Sequence, residues 1–171
     1  GDADHGLTMS KIAKAISAAA GESEGGIQAM LDDAAMAVMV LNGGSAVPLW
    51  NTWLDGLQEE APEGNEIDTA GIQAIFAKAL KALSDMSGAK VGDKTMMDAL
   101  IPASQAIAAY SGSDEAGLFD AAAQAALQGA EASKQFVSKF GRAKSYGEQT
   151  IGTPDAGAAS MAYLFQGLAR P

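Results

Sequence analysis

The sequence predicts an all-α domain, built as a helical bundle with short connections. Apolar residues make up 48% of the 171 residues, and much of that share is alanine, which favours helices that pack closely. Aromatic residues are only 6%, and β-branched residues are sparse, which argues against a sheet. Glycine- or proline-bearing breaks separate stretches whose apolar residues recur at spacings of three and four. The length suits one domain with a substantial core.

Seven helical stretches follow from these breaks. They are expected at Leu7–Ala20, Ile27–Leu41, Pro48–Glu60, from Asp68 or Thr69 to just before Gly88, Lys94–Tyr110, after Ser113 and after Pro154. The second is apolar almost all round near its end, which indicates either a central buried helix or a buried strand, and its length and alanines favour the helix.

Inward faces can be assigned for three of these helices, and the fourth has the clearest apolar stripe. The residues expected inside are Ile72, Ile75, Phe76, Ala79, Leu80 and Leu83 in the fourth, Leu118, Phe119, Ala122, Ala126 and Leu127 in the sixth, and Met161, Leu164, Phe165 and Leu168 in the seventh. Gly88 stands where a left-handed residue should end the fourth helix.

Net charge and residue composition exclude several classes of function. The formal net charge is −10, which argues against generic nucleic-acid binding because such a surface repels a phosphate backbone. No apolar run reaches the length of a membrane span, so no membrane association is expected. With no cysteine and one histidine, thiolate chemistry, catalytic triads and histidine-rich metal sites are excluded. Catalysis would have to rest on carboxylates, a bound metal and Arg142 or a lysine, as in metal-assisted phosphoryl transfer.

The opening residues Gly1-Asp2-Ala3-Asp4-His5-Gly6 are the first candidate site. Two carboxylates one residue apart can direct oxygens at one hard cation such as Mg²⁺. The amides of the helical turn that follows, with the Thr8 hydroxyl, favour an anion. This pairing suits a magnesium nucleotide. The alternative is that Asp2 and Asp4 only favour the first helical turn, and that His5 is a packing residue.

Two further breaks have both functional and structural interpretations. Asn42-Gly43-Gly44-Ser45 interrupts an apolar run, where amides could meet a ligand or simply turn the chain. Gly92-Asp93-Lys94-Thr95 lacks the spacing of a phosphate loop, so we expect Asp93 to cap the fifth helix. Met96 then belongs to the core by default, or else lines an adenine slot.

The longest connection, from about Phe140 to Pro154, has a distinct composition. It concentrates basic residues in an otherwise acidic chain, among them Arg142 and Lys144. Long connections in compact domains often carry function, so this one is the leading candidate for gripping an anion.

Four motifs, in order, resemble the L subunit of bacterial dihydroxyacetone kinases and the C-terminal domain of the single-chain ATP-dependent enzymes. They are Gly1-Asp2-Ala3-Asp4-His5-Gly6-Leu7, Gly43-Gly44 through Pro48-Leu49, Gly92-Asp93-Lys94-Thr95-Met96, and Gly141-Arg142 through Gly147-Glu148, Ile151-Gly152 and Asp155-Ala156-Gly157. The resemblance implies a closed barrel of eight antiparallel amphipathic helices with a nucleotide, ADP or ATP, at one end. It also implies one nucleotide-binding domain over residues 1–171, lacking the family's N-terminal helix.

The resemblance also implies which residues form the site. Asp2 and Asp4 match two of three aspartates that hold two Mg²⁺ ions; the first would stand five residues before Asp2. The residues matching nucleotide contacts are His5, Gly6, Leu7, Thr8, Ser45, Ala46, Gly88, Met96, Arg142, Asp155, Ala156 and Gly157. The serine of the second motif is displaced by one position, and Val47 replaces a glycine. The contact geometry expected for Ser45 and Ala46 therefore differs from the family pattern.

The resemblance implies a phosphotransferase that is active only with partner subunits and located in the cytoplasm. A partner K subunit would hold dihydroxyacetone, and a phosphotransferase-system M subunit would recharge the bound nucleotide in one branch of the family. Two alternatives stay open: a non-catalytic ADP-binding regulatory module, and the donor domain of a kinase for another short ketose.

Overall fold

A computed structural model describes residues 4–170, and its regular structure is helical with no strand in that range, so the all-α prediction is confirmed. The helices are α1 (His5–Glu22), α2 (Ile27–Met39), α3 (Ala46–Gln58), α4 (Thr69–Ser87), α5 (Met97–Ala109), α6 (Glu115–Ala132) and α7 (Ala156–Ala169), with 3₁₀ segments at Ser133–Gln135 and Arg142–Thr150.

The described residues form two compact units, which we call the N-terminal unit (residues 4–87) and the C-terminal unit (residues 88–170). In the N-terminal unit, α3 packs on α2 and α4, and α1 packs on α2 and α3. In the C-terminal unit, α5, α6 and α7 all contact one another. The single domain over residues 1–171 and the closed barrel stay predictions.

The core of the N-terminal unit is aromatic between α3 and α4. Trp53 lies edge-on to Trp50 and to Phe76, with ring centroids 5.8 and 5.9 Å apart. Such edge-to-face pairs add to the free energy gained by burying the rings. Close to them, a Cβ on Gly56 would lie 2.7 Å from the Ala79 Cα, so glycine lets α3 and α4 approach. The α4 stripe is confirmed, with Leu80 half-buried.

The core of the C-terminal unit is built mainly from aliphatic residues and small alanines. Its fully buried residues include Met97, Leu100, Ile107, Leu118, Ala122, Ala126, Met161 and Phe165. Where α6 crosses α5, a Cβ on Gly129 would overlap the Asp98 carbonyl oxygen. The two helices therefore meet backbone to backbone at this point, which only glycine permits.

Three burial predictions were wrong. The end of α2 is not a central buried helix, because Met36, Met39 and Val40 are exposed, Val40 by 75%. Leu127 and Leu168 were expected inside but are 46% and 40% exposed. Apart from Leu118, the buried residues of α6 are alanines such as Ala123 and Ala130, because a close helix crossing accepts only small side chains.

Two helix starts also differ from expectation. Helix α3 begins at Ala46, two residues before Pro48. Proline is tolerated at that position because the N–H groups of the first turn have no partner within the helix, so the N–H that proline lacks costs no helical hydrogen bond. Helix α5 begins at Met97 and not near Lys94, because Lys94 has a left-handed backbone, with φ of 59°.

No helix among residues 4–170 combines the length and the apolar character that crossing a membrane requires.

Candidate functional site

The first candidate segment is the start of α1. Asp4 is exposed and precedes the helix as its N-cap, and its carbonyl oxygen accepts the Thr8 N–H at 3.0 Å. The Asp4 side chain makes no capping hydrogen bond, so capping is not what its carboxylate contributes. His5, Gly6 and Leu7 occupy the first turn, whose N–H groups have no partner within the helix. Asp2 lies outside the described residues.

The turn between α2 and α3 lies directly against this segment. A Cβ on Gly43 would come within 2.8 Å of both the Thr8 Cγ2 and the Val47 Cγ2 atoms. Ser45 is the N-cap of α3 and is exposed, and Ala46 is the first residue of that helix. The structure therefore brings Thr8 next to the glycine turn that leads into Ser45 and Ala46, all within the N-terminal unit.

A third segment, residues 92–98, folds around a carboxylate that sequence reasoning missed. Asp98 is fully buried, and its two oxygens accept the Gly92 N–H at 2.6 Å and the Thr95 N–H at 2.7 Å. The prediction that Asp93 caps α5 was wrong, since Asp98 closes this turn from inside the helix. A buried aspartate is rare unless it is hydrogen-bonded, but sequence alone does not show which aspartate is buried.

The Asp93 carboxylate instead forms hydrogen bonds at the surface, which we call the Asp93 tie. Its carboxylate accepts the Lys90 N–H at 2.8 Å and the Lys139 ammonium at 2.9 Å. The hydrogen bond from Lys139, followed by that from Lys90, lowers the pKa of Asp93 below its ordinary value. The tie joins the turn before α5 to the segment after the first 3₁₀ turn.

The start of α7 meets the start of α5. Asp155 is the N-cap of α7, and its carboxylate accepts the Ala158 N–H at 2.8 Å. A Cβ on Gly157 would lie 3.3 Å from both the Cβ and N atoms of Met96. Met96 is buried, which agrees with the core interpretation of its side chain. The structure thus brings Met96 together with Asp155, Ala156 and Gly157 in the C-terminal unit.

The basic connection is more ordered than its composition suggests. Arg142 opens a 3₁₀ segment that runs to Thr150 and breaks at Gly147, where φ is 54°. Gly141 and Gly152, with φ of 62° and 100°, flank it in the left-handed region. Arg142 is exposed on this segment. Gly88 also has the left-handed backbone expected of it, with φ of 66° directly after α4.

The metal prediction can be compared with the described carboxylates. Among residues 4–170, no group of three His, Asp or Glu side chains is placed to hold a metal ion. Asp4 alone supplies a described carboxylate beside the α1 amides. One or two carboxylates plus substrate phosphates is the usual magnesium arrangement, so Asp4 with Asp2 would fit such an ion only together with a nucleotide.

Comparison with known proteins gives the family. The profile of the DAK2 domain matches residues 1–170. The chain belongs to the DAK2 domain family. The resemblance to the L subunit is confirmed by the ADP-binding subunits DhaL of PEP-dependent dihydroxyacetone kinases, which are 29% identical in both Listeria innocua and Escherichia coli. This DAK2 chain covers 80% and 82% of those subunits, and the matches span 98% and 99% of it.

Longer relatives of the DAK2 chain are sugar kinases. A D-erythrulose kinase of Mycolicibacterium smegmatis is 36% identical over 95% of the chain, and an L-erythrulose kinase of Pectobacterium atrosepticum is 35% identical over 96%. The chain spans only 29% of the length of each of these two relatives.

Solved structures agree on the fold. The dihydroxyacetone kinase of C. freundii in complex with AMP-PNP and Mg²⁺ matches 99% of the chain with a TM-score of 0.69 at 24% identity. Its native form matches 83% with a TM-score of 0.61 at 26% identity. The chain covers 28% and 23% of those two structures, so the likeness concerns one part of them.

Proposed function

We propose that this chain binds ADP or ATP with Mg²⁺ and is the phosphoryl-donor part of a ketose kinase. The observation that carries the proposal is the DAK2 match over residues 1–170, together with the 29% identity to two proteins named as ADP-binding subunits. The local geometry supports it, because the predicted contacts gather at helix starts and glycine turns. Helix starts present N–H groups and a positive dipole end, which favour phosphate.

Each unit contains some of the residues that we propose as nucleotide contacts. In the N-terminal unit, the first turn of α1 and the neighbouring Gly43 turn offer amides and hydroxyls to phosphate oxygens. Asp4, with Asp2, would hold Mg²⁺, which neutralises phosphate charge and so allows an acidic chain to bind an anion. In the C-terminal unit, Arg142 would face phosphate, and Met96, Gly88 and the start of α7 would contact the rest of the nucleotide.

The acceptor would be a ketose held on a partner K subunit or domain. Dihydroxyacetone is the first candidate, since the DhaL relatives match the chain over most of their own length. Erythrulose is the second, favoured by the higher identity to the erythrulose kinases. The DhaL relatives are named as ADP-binding subunits of PEP-dependent kinases, which favours a bound nucleotide that is recharged, by an M subunit as the family resemblance implies. The length of the erythrulose kinases is closer to the single-chain branch, for which the resemblance implies exchange of ATP.

Calorimetry with Mg·ADP tests the nucleotide proposal. Asp4→Asn should weaken binding roughly 10- to 100-fold, as expected for losing a charged ligand worth about 1.5–3 kcal/mol. Asp33→Asn is the matched control, because Asp33 is an exposed aspartate in α2 of the same unit. Absence of Mg-dependent binding by the unaltered chain, or an Asp4→Asn affinity equal to that of the control, would contradict the proposal.

A transfer assay tests the activity and the acceptor. The chain is incubated with a K subunit or domain, Mg²⁺, ATP and either dihydroxyacetone or erythrulose, and ketose phosphate is measured. Formation of ketose phosphate supports the donor role, and the ratio of kcat/KM for the two ketoses gives the preference of the complex with the K subunit used. Tight ADP binding without transfer from any donor would instead support a regulatory module.

A further inference from the structure

Lys94 is a buried lysine of the C-terminal unit. Its residue is only 5% exposed, although lysine is almost never buried without partners. The ammonium donates to the carbonyl oxygens of Ser133 at 2.8 Å, Thr150 at 2.6 Å and Thr153 at 2.6 Å. An ammonium has three N–H donors, so this set of acceptors uses all of them.

Those three carbonyls come from three different segments. Ser133 follows α6, Thr150 ends the 3₁₀ segment that Arg142 begins, and Thr153 leads into α7. The lysine itself stands between the Gly92 turn and Met96. A single charged group therefore joins the start of α5 to the end of α6, the end of the basic connection and the approach to α7.

Further hydrogen bonds support the same junction. The Ser133 hydroxyl accepts the Asp155 N–H at 2.8 Å, and the Gly152 N–H donates to the Lys134 carbonyl at 2.7 Å. Ser133 is fully buried. The backbone just before α7 is thus held at three successive points, which fixes where that helix begins.

Burial of the Lys94 ammonium is unfavourable by itself. Burial lowers the pKa of Lys94, and the carboxylates of Asp155 and Asp98 oppose that shift. Removing a charge from water is unfavourable unless partners replace the water. The left-handed backbone of Lys94, with φ of 59°, adds strain that a non-glycine residue seldom carries. Both features are unfavourable by themselves, so we interpret Lys94 as a residue whose role is to position the three segments that its ammonium contacts.

We propose that Lys94 is a positioning residue for nucleotide binding, which holds the start of α7 and the end of the Arg142 segment against Met96. This inference rests on the proposed function, because its readout is nucleotide affinity. Lys94 does not contact the nucleotide itself, since its three donors are engaged with carbonyls. It acts by fixing Asp155, Ala156 and Gly157 beside Met96.

The test compares Lys94→Met with Lys134→Met in the whole chain. Methionine keeps an unbranched side chain as far as the Cε atom and removes the donors. Lys134 is the matched control, because it is a neighbouring lysine whose ammonium makes only a surface pair with Glu131 in the described structure. Circular dichroism and thermal unfolding first establish that both variants are folded at the assay temperature.

Two readouts separate positioning from a merely structural role. Trypsin cleavage after Arg142 or Lys144 reports release of the basic connection, and calorimetry with Mg·ADP reports affinity well below the unfolding midpoint. For Lys94→Met we expect cleavage and Kd each to rise at least tenfold, because about tenfold is the size of losing one hydrogen bond to a charged group and this variant loses three. Lys134→Met should stay within about twofold of the unaltered chain, as surface pairs do.

A second variant keeps the inference testable if Lys94→Met does not fold. Ser133→Ala removes the acceptor of the Asp155 N–H and leaves Lys94 in place, and it should raise both readouts several-fold. An unchanged Mg·ADP affinity in a folded variant with released trypsin sites would overturn the inference. If the unaltered chain binds no Mg·ADP, the proposed function fails. In that case, equal cleavage rates in Lys94→Met and the unaltered chain would still show that Lys94 does not hold the Arg142 segment in place.

Discussion

The two groups of predicted nucleotide contacts are held in place by different means. In the C-terminal unit, buried polar side chains hold the segments around Met96 and Asp155: Lys94, Asp98 and Ser133 each bond to backbone groups. In the N-terminal unit, the turn before Ser45 is positioned by close contact, with Gly43 fitted against Thr8. One region relies on hydrogen bonds and the other on the absence of a side chain.

The difference shows which kind of substitution each region should resist. A buried hydrogen-bonded group is costly to remove, because its partners lose their bonds without regaining water. A close contact is instead sensitive to added volume, and neighbouring side chains can relieve part of the overlap. The C-terminal segments should therefore fail when polar groups are deleted, and the N-terminal turn when a methyl group is added.

The largest expected effect is that of Asp98→Ala. It leaves the Gly92 and Thr95 N–H groups without their acceptor and removes a carboxylate near the Lys94 ammonium. We expect a loss of about 2–5 kcal/mol in the free energy of unfolding, measured by urea titration. Asp98→Asn should lose less, because an amide oxygen can still accept one bond. Asp120→Ala, an exposed site on α6, is the control and should change little. A similar loss in all three variants would refute this account.

The next effect is that of Gly43→Ala compared with Gly44→Ala. The added methyl group at position 43 would lie 2.8 Å from both Thr8 and Val47, whereas at position 44 it meets nothing within 4 Å. We expect a loss of roughly 1–3 kcal/mol for the first, and no loss or a slight gain for the second. Equal unfolding free energies for the two variants would mean that the turn is not positioned by this contact.

The smallest effect concerns an exposed carboxylate in the C-terminal unit. Asp114 caps α6, and it accepts the Tyr110 hydroxyl at 2.6 Å and the Gly117 N–H at 2.9 Å. The bond from Tyr110 comes first among the causes that lower the pKa of Asp114 and raise that of Tyr110. Because the pKa of Asp114 is lower in the folded state, its contribution is present at neutral pH and is lost as pH falls through that lowered value.

Thermal unfolding at several pH values checks this prediction. The Tm of the unaltered chain should exceed that of Asp114→Asn at neutral pH, and the difference should shrink below about pH 4, where aspartates begin to protonate. Tyr110→Phe should remove part of the same difference. A Tm difference independent of pH would show that the cap does not act through its charge.

Local patterns in the sequence were enough to predict much of the fold. The α4 stripe of Ile72, Ile75, Phe76, Ala79 and Leu83 is buried as expected, because spacing alone places such residues on one side of a helix. Gly88 takes the left-handed conformation for the same local reason, since only the end of a helix requires it there.

Features that depend on the tertiary environment could not be predicted in this way. The sequence around Lys94 suggests a helix start, but the carbonyls that accept its ammonium lie 39 to 59 residues away. Val40 and Leu127 are as apolar as the buried residues, and their exposure depends on which neighbours approach.

For the candidate site, the resemblance identified residues but not their neighbours. It placed Thr8 and Met96 in the site, while the contacts of Thr8 with Gly43 and of Met96 with Gly157 required the fold. Their binding roles stay predictions, as does that of Asp2. The family's motif order assigned these positions, whereas spacing within this single chain would have left Asp4 as an ordinary residue before a helix.

The crossing of α5 and α6 at Gly129 has a mechanical consequence. Elsewhere, packed helices can shift by an ångström or so when the side chains between them change rotamer. At Gly129 the α6 backbone rests on the Asp98 carbonyl with no side chain between, so no rotamer change can absorb a displacement there. Helices α5 and α6 should therefore move as one stiff frame.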